Sequence, residues 1–333
     1  VATASAQHAS VERHYSGVIG SSKIYASLTQ DGDSLNGYYY LTSQYPTFAL
    51  WESPSVSLSG SRNNTHISLQ AFGRDTAYEE TRLGSIEAMI DSDSGLFGTW
   101  TEAHLPSANL KVFRVYESGY PIYTKPHRSR IVSDETNLPE WVDAMVPSLG
   151  EARDQKKLRK VNAFLRKNLF DFYEDDKEDS GYSHSASFQV RYLDSNIIGI
   201  SLTWESDGGA YPDHHETSFS LDLYTGKQLT IRDLIFPRKL GALNRVIKEA
   251  LTNEFTHDFQ EPRDTSFFLM LKDLFRTNLG DASFLITPLG LEFNREDALP
   301  HAAQAAGFLL IPYHSLIGIV DPKSPLKVAM NRN

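Results

Sequence analysis

The chain has 333 residues, with 42 acidic against 32 basic side chains and a formal net charge of −10. That balance argues against a nucleic-acid partner, which needs a basic face, and suits a basic protein partner instead. The absence of cysteine excludes disulfides, thiol nucleophiles and Cys-ligated metals together, while 40% hydrophobic residues supply enough apolar surface for the cores of two domains.

Residues 1–11 read as a disordered tail or a signal remnant, because Ala4-Ser5-Ala6 has the small-x-small form that ends a signal peptide. With the missing cysteines, this sets the expected location as periplasmic or extracellular. No apolar run approaches the ~20 residues of a membrane-spanning helix. Residues 12–117 predict an antiparallel β-meander, a sandwich or open barrel. Ile24, Ala26 and Leu28 alternate with polar residues, Asp31-Gly32 turns the chain, and Leu35–Leu41 follows with Tyr38, Tyr39 and Tyr40. Further short strands are expected around Val56, Ile67, Ile86, Leu96 and Leu110. Residues 118–137, with Gly119, Pro121, Pro126 and several basic side chains, read as a linker.

Residues 138–322 predict an α+β domain with an antiparallel sheet and packed helices, and 323–333 a C-terminal tail. Leu158, Val161, Leu165 and Leu169 recur at helical spacing, and a second helix is expected over about 240–255. Strands are expected at Ser187–Leu193, Ile197–Glu205 and Thr217–Leu223, then as short pieces near Phe284, Leu291 and Phe308. The order lacks a βαβ alternation, so the fold class is α+β rather than doubly wound. Thr230 with Asp233 predicts a capping box at the start of a short helix.

Gly208-Gly209-Ala210-Tyr211-Pro212, the run Phe219–Lys227, and the pair Phe284–Phe293 and Ala305–Leu316 resemble the RsiV-type sensor-domain family. That family is typified by the C-terminal domain of an anti-sigma factor that binds lysozyme. The likeness covers roughly 138–320. It implies export and recognition of a protein that acts at the cell wall. This chain has Tyr211 where relatives usually have histidine, and its histidines come later. Residues 12–117 resemble a β-module of uncharacterised exported bacterial proteins.

Chemical motifs are few. Gly32-Asp33-Ser34-Leu35 spells an esterase string, but it falls in a turn between alternating strands, and no Asp-x-x-His follows near the C-terminus. Asp213-His214-His215 matches a phosphoesterase string without its second acidic motif. No residue is therefore assigned as catalytic, and no metal or cofactor is expected. The candidate partner-binding residues are Gly208, Gly209, Tyr211, Asp213, His214, His215 and Glu216 in one loop, with Glu174, Asp175 and Asp176 in an acidic loop. Either loop could enter the basic cleft of a partner.

The function expected from sequence is thus a non-enzymatic exported binding protein. It would recognise a cell-wall-acting protein such as lysozyme or a toxic hydrolase, as sensor, inhibitor or immunity protein. The alternatives are a metal-dependent hydrolase or deacetylase built on Asp213, His214, His215 and Glu216, and a structural module of an envelope complex.

Overall fold

A computed structural model describes residues 10–42, 55–74, 80–91, 94–103, 110–132, 139–175, 183–207, 213–258, 283–294 and 308–332. Eight strands run up and down from the N-terminal side: β1 (Ser10–Ile19), β2 (Ser22–Asp31), β3 (Ser34–Leu41), β4 (Ser55–Asn63), β5 (His66–Arg74), β6 (Glu80–Ile90), β7 (Gly95–Glu102) and β8 (Lys111–Glu117). Each pairs antiparallel with the next, and β8 returns to β1 in the register Tyr15↔Glu117 to Ile19↔Phe113. The sheet closes into a barrel.

Alternation decides which side chains fill it. Tyr15, Ile24, Leu28, Tyr39, Leu69, Ile86, Trp100 and Val115 share one enclosed apolar cluster, and Tyr39 meets Trp100 edge-on at 6.0 Å. Four glycines let neighbouring strands close on one another where the barrel bends. A Cβ on Gly98 would stand 1.9 Å from the Glu87 carbonyl oxygen, and one on Gly17 would stand 2.0 Å from that of Arg114. Gly37 and Gly60 are equally tight. Gly98→Ala is therefore expected to lower the unfolding free energy by roughly 1–3 kcal/mol, as overpacking does, in urea titrations followed by tryptophan fluorescence.

Strand β1 is shared. Its last five residues pair with β8, while Ser10–Glu12 pair on the same edge with β9 (Ile122–Val132). From β9 the sheet continues through β10 (Pro139–Leu149), β11 (Ser183–Leu193), β12 (Ile197–Asp207) and β13 (Asp213–Asp222). The β10–β11 pair is parallel, which requires a crossover. Helix α1 (Gln155–Asp175) supplies it. Its Leu158, Val161, Leu165 and Leu169 are fully buried against Val190, Ile198, Ile200 and Leu202.

The opposite face of β11–β13 carries a small sheet of β14 (Phe284–Ile286), β15 (Gly290–Asn294) and β16 (Phe308–Pro312). The Ser220 hydroxyl ties the layers, donating to Phe284 O at 3.3 Å and accepting from Ile286 N at 2.8 Å. Short helix α2 (Ile231–Leu234), α3 (Leu240–Asp258) and α4 (Leu326–Arg332) complete this side. At α2, Asp233 Oδ2 accepts from the Thr230 amide at 2.8 Å and its hydroxyl at 2.7 Å.

The expected fold class needs correction. Among the described residues the structure is mostly β, with 59% strand against 21% helix, and its N-terminal part is a closed eight-stranded barrel rather than a sandwich or open barrel. The C-terminal half is not a separate α+β layer with packed helices. Its strands extend the barrel's own sheet through β1, and its helices serve as a crossover and outer cover. The stretch read as a linker carries β9, and the expected tail holds α4, whose Leu326 and Ala329 are fully buried. Among the described residues no helix is long and apolar enough to cross a membrane.

Candidate functional site

One end of the barrel is rimmed by the turns that join β2 to β3, β4 to β5 and β6 to β7. Each turn has a residue in the left-handed region: Gly32 at φ 59°, Asn64 at 55° and Ser94 at 60°. Short turns of this kind follow the twist of the strands and end at the rim. The strand ends beneath them bring polar side chains into the inward phase. Arg13 shares the phase of Tyr15 on β1, Gln30 that of Leu28 on β2, Arg62 that of Leu58 on β4, and Glu117 that of Val115 on β8.

These side chains frame a cavity of about 180 Å³. Val11, Leu28, Leu35, Ile67, Ile90 and Leu96 give it apolar walls, and Arg13, Tyr15, Gln30, Arg62, Ser94 and Glu117 its polar lining. Arg13 Nη1 donates to Glu117 Oε1 at 2.6 Å, so this pair is neutral overall. Arg62 is held differently. Its Nε donates to Asn64 O at 2.7 Å and its Nη1 to Gln30 Oε1 at 3.0 Å, while Gln30 Nε2 donates to Gly32 O at 2.8 Å. The two left-handed turn residues thus provide the carbonyls that orient Arg62 and its amide partner. Burial, reinforced by Glu117 and opposed by Arg13 and Arg62, pushes the Tyr15 hydroxyl up to about 12. It stays protonated at neutral pH. The lining can bind and orient a ligand, and an eight-stranded barrel is wide enough to hold one small molecule.

No family model matches the chain, and neither does any curated protein. Among the solved structures similar to it are two distant ones. One is a member of the DUF3298 family from Bacteroides fragilis, at 14% identity and a TM-score of 0.45, covering 65% of this chain and 99% of that one. The other is a DUF3298 family protein from Pseudomonas aeruginosa, at 17% identity and a TM-score of 0.42, covering 61% of this chain and 95% of that one. These are distant likenesses at the level of the fold. The RsiV-type likeness rests on the sequence motifs alone.

The residues singled out from sequence fall elsewhere. Gly208, Gly209 and Tyr211 lie outside the described residues, as does Asp176. Glu174 and Asp175 belong to the last turn of α1. Asp213, His214 and His215 open strand β13, opposite Ser206, Glu205 and Trp204 of β12. Among the described residues no group of three His, Asp or Glu side chains is placed to hold a metal ion.

Glu216 is the one member of the expected set whose side chain is described. It sits partly buried on β13, on the face that meets β14 and β15, in a cluster with Ser201, Arg191 and Glu292. Arg191 Nη2 stands 3.9 Å from Glu292 Oε1. Burial pushes the Glu216 carboxyl up to about 7, with Glu292 adding to the rise and Arg191 and a hydrogen bond with Ser201 opposing it.

A third polar group joins the two halves of the molecule. His14 Nε2 lies 3.0 Å from Glu12 Oε1, Ser27 Oγ donates to that same oxygen at 2.6 Å, and His14 Nδ1 and the Tyr25 hydroxyl share a bond of 2.9 Å. The Leu193 amide donates to the Tyr25 hydroxyl at 2.6 Å. Burial tends to raise the Glu12 carboxyl, but attraction to His14 and hydrogen bonds from His14 and Ser27 outweigh it and hold it low. The order Glu–His–Tyr has the look of a proton relay. However, Tyr25 is 1% exposed, and its hydroxyl is met by β11 backbone where a substrate would have to reach. It is a brace between barrel and sheet.

The barrel mouth was not found from sequence, although a signal exists. Arg13, Gln30, Arg62 and Glu117 each occupy the inward, apolar phase of a strand near the rim of the barrel.

Proposed function

We propose that the protein is a non-enzymatic binding protein that holds a small ligand in the mouth of its barrel. The carrying observation is the cavity of about 180 Å³, with apolar walls and polar groups oriented by the rim turns. An engineered apolar cavity of ~150 Å³ admits benzene, so this one suits a ring-sized body. The polar groups are donors and a neutralised ion pair, arranged for recognition rather than proton transfer. Calorimetric titration with toluene is expected to give saturable one-to-one binding, and Ile90→Trp, which fills the mouth, is expected to abolish it. Unsaturable uptake that is indifferent to the filled variant would overturn the reading.

A second reading, favoured by the net charge of −10 and the RsiV-type motifs, adds a protein partner. In it the chain is exported and captures a basic enzyme acting at the cell wall, such as lysozyme, as sensor or inhibitor. Immobilised protein would then retain hen-type lysozyme at physiological salt and slow its lysis of wall fragments. Lack of both effects would remove it.

A further inference from the structure

We propose that the ligand of the barrel mouth is a small apolar acid, with the Arg62 guanidinium as the partner of its anionic group. This rests on the barrel-mouth reading above and adds the chemical class. The charges along the cavity do not cancel. Arg13 is matched by Glu117 at 2.6 Å, whereas among the described residues no carboxylate pairs with Arg62, whose bonds go to a carbonyl and an amide oxygen. One positive charge is left over beside apolar walls, where a weakly screened cation attracts an anion more strongly than at an open surface.

The arginine is also pre-positioned. A guanidinium has five N–H donors in a fixed fork. Bonds from Nε to Asn64 O and from Nη1 to Gln30 Oε1 use two of them and fix the plane, and Gln30 is itself anchored to Gly32 O. The remaining donors are the ones a carboxylate accepts from in pairs. Tyr15, protonated at neutral pH, adds a hydroxyl donor to the same cavity. Leu28, Leu35, Ile67 and Leu96 receive the apolar body. An amine of the same size would meet donors and a surplus positive charge, so it is rejected.

The test is titration of the full chain at low salt with three ring probes of similar size: benzoate, benzamide and benzylamine. Benzoate is expected to bind at least tenfold more tightly than benzamide, and benzylamine not to bind. Arg62→Gln should erase the preference for benzoate over benzamide. Glu117→Gln, which leaves Arg13 uncompensated, should raise benzoate affinity further. The benzoate-to-benzamide ratio is measured within each protein, so a change in stability does not imitate the effect. If Arg62→Gln fails to fold, the wild-type ratio and Glu117→Gln decide. Equal binding of benzoate and benzamide to the wild type overturns the acid assignment and leaves the cavity reading standing. Failure of all three probes and of toluene overturns both.

Discussion

Replacing Tyr25 with phenylalanine is expected to lower the unfolding free energy by roughly 2–6 kcal/mol, although only one oxygen is removed. The size follows from what that oxygen serves. It accepts the Leu193 amide at 2.6 Å and shares a bond with His14 Nδ1 at 2.9 Å. Both partners are fully buried. Each would be left without a partner in a place closed to water, at about 1–3 kcal/mol per group. Tyr192→Phe is the contrasting variant. Tyr192 donates to Asp194 Oδ2 at 3.1 Å, while Asp194 Oδ1 keeps the amides of Asn196 and Ile197. That loss should be nearer 1 kcal/mol. Urea unfolding of both variants at neutral pH measures the difference. Equal losses would show that Tyr25 does not brace the two halves.

The stability of the wild-type protein should fall as pH rises from about 4.5 to 7, and Glu216→Gln should remove that part of the slope. Burial raises the folded-state carboxyl from its ordinary 4.5 to about 7. In that window the native state binds a proton that the unfolded chain has released, so unfolding becomes easier as pH increases. The contribution is fully present below pH ~4.5 and lost above pH ~7. At 1.36 kcal/mol per unit over about 2.5 units, the change is on the order of 3 kcal/mol. Glu216→Gln should therefore match the wild type near pH 4.5 and exceed its stability at pH 8. Denaturant midpoints at pH 4.5, 6 and 8 test it. A variant less stable than the wild type at pH 8 would mean that the attraction of Arg191 exceeds the penalty of burial.

Local order is readable from sequence where apolar residues keep one period along an element. The alternation of Ile24, Ala26 and Leu28 lies on β2, and Leu158, Val161, Leu165 and Leu169 form the buried stripe of α1. What was not readable depends on partners distant in sequence. Closure needs Tyr15 opposite Glu117, and nothing in either segment alone specifies that register. The β9 strand reads as a linker because Lys125, Pro126, His127 and Arg128 break any period. Its eleven residues are instead held by pairing with β10 on one edge and, at its start, with β1 on the other. That pairing also turns the predicted second domain into an extension of the first sheet. For the site, the motif strings led to residues 208–216, whereas the cavity is built from solitary polar residues at strand ends. Each looks like a strand running out into solvent until closure places four of them around one opening.

The shared strand β1 also imposes an order of events. Its Arg13 meets Glu117 across 104 residues of chain. During synthesis at ~5–20 residues per second, one edge of β1 waits roughly 5–20 s for its partner. The entropy of closing so long a loop grows only logarithmically with length, so the wait costs little at equilibrium. In kinetic terms it is the vulnerable interval, since an unpaired edge strand is a template for aggregation. Both β8 and β9 lie on that edge, so the arrival of one short stretch of chain ends the exposure and lets both halves of the molecule fold together.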